Sequence, residues 1–258
     1  MKKLLLSVVL STTCLLPTLK AQESNLGPHL QRDPQSIQLL GLAMQTMGGS
    51  QSWHGITAVD AEGTTNLKNG EPQSFHWKDS WDAKGHMERT GPDTHDKQRH
   101  FVADEGEHAT LKGEHGSFPK PTFDRVAQLM LHMPGAVIDL VLNDPSYGVE
   151  PTKSDARMPA ASCVSIYRNR MNIARGGLQA VMCFDQKTGL PERGAVILPN
   201  LAQAGGTVAE RVLYKDFQQT GAIVVPKSIE VINPVGIHRF YTFASIRTNL
   251  SGSNQGGQ

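Results

Sequence analysis

Three groups of residues have types and spacings suited to chemistry. Cys163 and Cys183 are the two cysteines outside the first 21 residues. A hairpin centred near residue 173 would set them opposite each other, both side chains on one face. In an exported chain such thiols form a disulfide; two buried thiols or a redox pair are the alternatives. Two cysteines without a third ligand are poor zinc ligands, and a catalytic thiol needs a positioned base that nothing marks here. The second group is the histidine-rich region 86–115, where His95 and His100 flank Asp96 and the pairs Glu107-His108 and Glu114-His115 follow. That is the raw material for a metal-assisted enzyme, but no His-Glu-x-x-His spacing is present. The third group, Asp60 and Glu62, reads as solvated surface on one strand face. The sequence contains no Gly-x-Ser-x-Gly elbow and no glycine-rich phosphate loop opening a helix. The expectation is a chain without catalytic residues, metal or cofactor.

The compartment argument comes from the N-terminus. Met1-Lys2-Lys3 precedes an uncharged run from Leu4 to Leu16, and Leu19-Lys20-Ala21 follows. A basic start, a short apolar stretch and a small residue describe a secretory leader cut near Ala21; the apolar run is shorter than the roughly 20 residues of a membrane span. The chain holds 25 Lys+Arg and 24 Asp+Glu, and without Lys2, Lys3 and Lys20 the mature balance is 22 against 24. A near-neutral protein has no electrostatic case for nucleic acid. The expectation is an exported protein.

The elements that must position any site follow from periodicity. Residues 1–21 read as the leader and 22–32 as a flexible linker. A single domain spans 33–249, and 250–258 reads as a disordered tail. Asp33 and Pro34 start a helix over 34–47, with Ile37, Leu40, Met44 and Met47 on one face and Gly48-Gly49 as the stop. From about 54 to 113 the pattern alternates as strands joined by short turns, so the sheet is antiparallel. Within it Phe75, Trp77 and Trp81 share a face. Residues 123–142 return to helical spacing, broken by Pro134, and read as two short helices, about 123–133 and 135–142. Strands fill the rest from residue 147. This order gives an α+β domain, one long antiparallel sheet with helices gathered on one face.

Several blocks together resemble the LolA-like superfamily of periplasmic lipoprotein carriers and lipoprotein-sorting proteins. They are the leader, the helix ending "AMQTMGG" before "SWHGITAVDAEGTTNL", the apolar stretch 123–142, and "CFDQKTGLPERGAVI" leading into "YKDFQQTGAIVVPKSIEV". The most specific part runs through Phe184 to Pro191, Asp216-Phe217 and Gly221 to Pro226. The resemblance implies a strongly curved, unclosed half-barrel with an N-terminal helix and a central helical pair over its concave face. It also implies a cavity there for acyl chains.

The sequence therefore predicts a non-catalytic periplasmic carrier or binding protein for a lipid, a lipoprotein acyl chain or another hydrophobic ligand. The expected ligand-facing residues are Phe75, Trp77, Trp81, Leu129, Met130, Met133, Val137, Ile138 and Val141. Partners would be a hydrophobic ligand and an envelope membrane or lipoprotein, with no nucleic acid and a monomer favoured. The competing expectation is a cell-envelope interaction or assembly module with a filled core, since methionine and aromatic stripes at these spacings also describe plain packing. A metal-assisted enzyme built on 86–115 is the third.

Overall fold

A computed structural model describes residues 31–67, 70–81, 87–92, 98–103, 109–113, 116–120, 129–130, 133–152, 163–168, 179–199 and 207–250. Residues 1–30, the region around His95, His108 and His115, residues 169–178 and most of 121–132 lie outside these.

Helix α1 (Pro34–Thr46) starts where local chemistry dictates. The Asp33 carboxylate accepts a hydrogen bond from the Ser36 backbone N–H at 2.7 Å, and Pro34 occupies the first turn. Gly48 and Gly49, at φ 109° and 82°, stop it. A side chain at Gly48 would also meet the Ala222 carbonyl oxygen at 2.2 Å, so the stop doubles as a close contact with the sheet. Two further helices follow, α2 (Ser50–His54) and α3 (Pro134–Asn143). Of the expected helix 123–133, Leu129 and Met130 are helical and the Met133 N–H bonds to the Leu129 carbonyl at 2.7 Å.

The sheet has thirteen described strands. The first six are β1 (Ile56–Leu67), β2 (Gln73–Trp81), β3 (Met87–Pro92), β4 (Gln98–Ala103), β5 (Ala109–Gly113) and β6 (Gly116–Lys120). The rest are β7 (Tyr147–Pro151), β8 (Cys163–Arg168), β9 (Gln179–Phe184), β10 (Pro191–Pro199), β11 (Thr207–Thr220), β12 (Ile223–Ile232) and β13 (His238–Leu250). Their order is β6-β5-β4-β3-β2-β1-β13-β12-β11-β10-β9-β8-β7. Two meanders of antiparallel neighbours thus meet in the middle, where the first strand pairs with the last. The sheet stays unclosed, and its two edges, β6 and β7, are consecutive in the chain. Between these two edges in the chain lies α3, which packs on α1, α2 and β12.

Two boundaries expected from the sequence are corrected. Arg32 does not belong to a loose linker. Gln31 and Asp33 bond to both backbone groups of Val149 at 2.8 Å, laying the chain parallel to β7. Leu250 belongs to the sheet and not to a tail, since it ends β13 opposite Ile56. Two elements had no counterpart in the sequence reading, α2 and β6.

Cys163 lies opposite Cys183 on paired β8 and β9, and the two form a disulfide. The "DQKTGLP" segment is a tight turn. The Asp185 carboxylate accepts from the Lys187 and Thr188 N–H groups at 3.0 and 2.7 Å and from the Thr188 hydroxyl at 2.9 Å, and Gly189 adopts φ 72°. These hydrogen bonds, led by those from Thr188, hold the Asp185 carboxyl below its ordinary pKa. Asp216, within β11, adopts φ 52°, a conformation that aspartate tolerates better than most residues, and the pairing with β12 keeps one register on both sides of it.

Candidate functional site

Strand alternation sends one set of β1, β2 and β13 side chains to the concave face. In register these are Ala61 with Trp77 and Ile246, Gly63 with Phe75 and Phe243, and Thr65 with Tyr241. Glycine at 63 lets the β13 backbone approach closely. A side chain there would meet the Thr242 carbonyl oxygen at 2.0 Å. The rings interlock: Phe75 stands edge-on to Tyr241 and Phe243 at 5.5 and 5.6 Å, and Trp77 lies 4.7 Å from Tyr241. Such edge-to-face pairs contribute about 1 kcal/mol each beyond the area they bury.

Opposite the rings lies the helical cover. Phe75, Trp77, Leu129, Met130, Met133, Val137, Ile138 and Val141 belong to one apolar cluster with α1 and the sheet, each no more than 8% exposed. Trp81 packs against it from the side, half-buried. The structure thus brings the residues named from the sequence into one interior. It adds Tyr241 and Phe243 from the last strand.

The cover is fixed at several points. The buried Tyr214 hydroxyl donates to the Met130 carbonyl, and burial holds its phenol well above the ordinary range. Gly194 leaves space beneath that tether, since a side chain there would crowd the Met130 sulfur at 2.9 Å. Gly135 does the same for Trp53, whose indole N–H donates to the Met47 carbonyl at 2.9 Å. Asp139, on α3, accepts from the Ser50 hydroxyl at 2.7 Å and from Asn143 at 2.9 Å. At the other end of α3 the Arg32 guanidinium donates to the carbonyls of Val141, Leu142, Asp144 and Tyr147. Burial lowers the Arg32 pKa, and the nearby Asp144 charge works against that shift.

The outer face has a different character. Asp60 Oδ1 lies 2.8 Å from His76 Nε2, and Arg247 reaches Glu62 at 3.0 Å and Asp60 at 3.5 Å. Burial alone would raise the Asp60 carboxyl, but His76, Arg247 and Lys78 together hold it below its ordinary pKa. An open groove of about 540 Å³ runs beside this cluster between Ala58, Ser80, Glu88 and Lys78. Asp60, Glu62 and His76 are close enough to share an ion, yet Arg247 and Lys78 already neutralise the carboxylates. Of the histidine-rich region, His100 lies on β4, and the remaining acid–histidine pairs fall outside the described residues.

No family model and no curated protein matches the chain. Solved structures do. One is a LolA superfamily protein from Nitrosomonas europaea, 8% identical, covering 83% of this chain and 93% of that one at TM-score 0.49. Another is a putative outer membrane lipoprotein-sorting protein domain from Vibrio parahaemolyticus, 10% identical, covering 86% and 94% at TM-score 0.49. A DUF1329 family protein from Desulfovibrio piger is 10% identical, covering 83% and 93% at TM-score 0.48. Among the described residues no helix is long and apolar enough to cross a membrane.

Proposed function

We propose that this protein is a non-catalytic periplasmic carrier or binding protein for a lipid, an acyl chain or a similar hydrophobic ligand, taken up between the concave sheet and its helical cover. The observation that carries the reading is the composition of that interior. A wall of interlocked rings from β2 and β13 shares one cluster with Met44, Met47, Met130, Met133 and Met182. Thioethers have three soft torsions and adapt to irregular partners. An acyl chain hidden there gains about 0.8 kcal/mol per CH₂. The sheet is unclosed, so the interior is bounded on one side by helices alone, and these can part without breaking strand pairing.

A second reading has its own support. The described candidate residues pack against one another almost without exposure, as a filled envelope interaction module would. Mass spectrometry of an organic extract of the mature protein, purified without detergent, separates the two. A stoichiometric lipid, lost on Trp77→Asp in a still-folded protein, supports the carrier. A ligand-free protein that also takes up no fluorescent fatty acid leaves the filled module.

A further inference from the structure

The concave face does not stay apolar to its rim. Three successive rows across β1 and β13 pair Gly63 with Phe243, Thr65 with Tyr241 and Leu67 with Arg239. Along β13 exposure is 1% at Phe243 and 8% at both Tyr241 and Arg239, and Leu67, in the last row of β1, is 41% exposed, so the interior meets solvent at that row. Just inside it, Thr65 is 2% exposed and its hydroxyl has no hydrogen-bond partner. Native proteins rarely leave a buried hydroxyl unsatisfied without a reason. One residue pair further out, Arg239 brings a permanently charged, donor-only guanidinium to the same face. At the opposite end of the aromatic wall, beyond Trp77, the same face carries the buried carboxylate-bearing Asp79.

We infer that Thr65 and Arg239 form the head-group subsite for an amphiphile with an anionic, oxygen-bearing head, its apolar tail lying inward along Tyr241, Phe75, Phe243 and Trp77. The inference rests on the carrier reading and adds the ligand's class and orientation. An anionic oxygen accepts from both the hydroxyl and the guanidinium, the stronger kind of hydrogen bond. A carboxylate and a lipid phosphate share this chemistry.

The test is calorimetric titration of the full mature protein with decanoate, decyl phosphate and decanol. Wild type is expected to bind one or both anionic ligands about tenfold or more tightly than decanol. Whichever anion binds tighter identifies the head as carboxylate or phosphate. Arg239→Gln should reduce the anions to the decanol level, and Arg239→Lys should keep part of the preference. Thr65→Val, a methyl for a hydroxyl, is the independent variant that spares the buried charge and should also narrow the preference. Equal binding of all three ligands by wild type, or a preference that survives both Arg239→Gln and Thr65→Val, overturns the subsite and leaves the carrier reading intact. No binding of any of the three removes both.

Discussion

The Arg32 guanidinium donates to the Tyr147 carbonyl at 2.9 Å and to the Val141 carbonyl at 3.0 Å, residues 115 and 109 positions further along the chain. One side chain thereby closes the C-terminal end of α3 and ties the strap before α1 to β7. Charged hydrogen bonds to buried carbonyls are worth more than neutral ones. Arg32→Ala should cost about 3 kcal/mol in denaturant unfolding, and Arg32→Lys, with one point charge in place of a fork, should recover only part. An unchanged midpoint would mean that water replaces the guanidinium at no cost.

Gly135→Ala tests how firmly the cover is packed. The added methyl would lie 2.3 Å from the Trp53 ring, which is pinned through its indole N–H. Overpacking of this kind costs about 2 kcal/mol. The expected result is a lower melting temperature with a changed tryptophan emission spectrum. A melting curve that overlays wild type would show that Trp53 moves freely.

The disulfide between Cys163 and Cys183 closes a loop of 20 residues. Loops of that size gain about 3 kcal/mol from the cross-link. A Cys163→Ser, Cys183→Ser double variant should unfold at correspondingly lower denaturant and become indifferent to reductant. Equal stability of the reduced and oxidised protein would contradict this.

Acid should weaken the hairpin of β12 and β13. Burial alone would raise the Glu230 carboxyl above its ordinary value of 4.5, but hydrogen bonds from His238 and Lys215 more than offset this and the net shift is downward. A depressed folded pKa adds stability that is complete above the unfolded value and disappears as pH falls through the folded one. Melting temperature should therefore drop as pH falls below about 4.5, and Glu230→Gln should flatten that slope. Asp60 is shifted in the same direction, so some slope will remain. Parallel curves for the two proteins would remove Glu230 from the account.

Much of the fold was legible because local signals agreed with it. The Asp33-Pro34 cap and Gly48-Gly49 stop framed α1, and alternation marked Phe75 and Trp77 as one face. The missed elements lack such signals. Helix α2 is a single polar turn, Ser-Gln-Ser-Trp-His, held by Trp53 and by the Ser50 contact to Asp139. Strand β6, Gly-Ser-Phe-Pro-Lys, is five residues long, and its Pro119 is tolerable only because it sits at an edge.

The site was half legible for a similar reason. Tyr241 and Phe243 join Phe75 only through the pairing of the first strand with the last, a contact that no local window contains. Thr65 and Arg239 are polar residues on strands, which alternation alone assigns to solvent. Arg32 was invisible as a clamp because its partners are backbone carbonyls, which leave no mark in a sequence.

The strap along β7 has a consequence for self-association. Val149 has spent both outward backbone groups on Gln31 and Asp33, the Tyr147 carbonyl is taken by Arg32, and Pro151 has no N–H to offer. That terminus of the sheet is sealed, whereas β6 has no strand beyond it among the described residues. Growth by strand addition needs two live ends on every subunit. With one end sealed, any edge-to-edge joining through β6 would stop at a pair of subunits rather than extend into a filament.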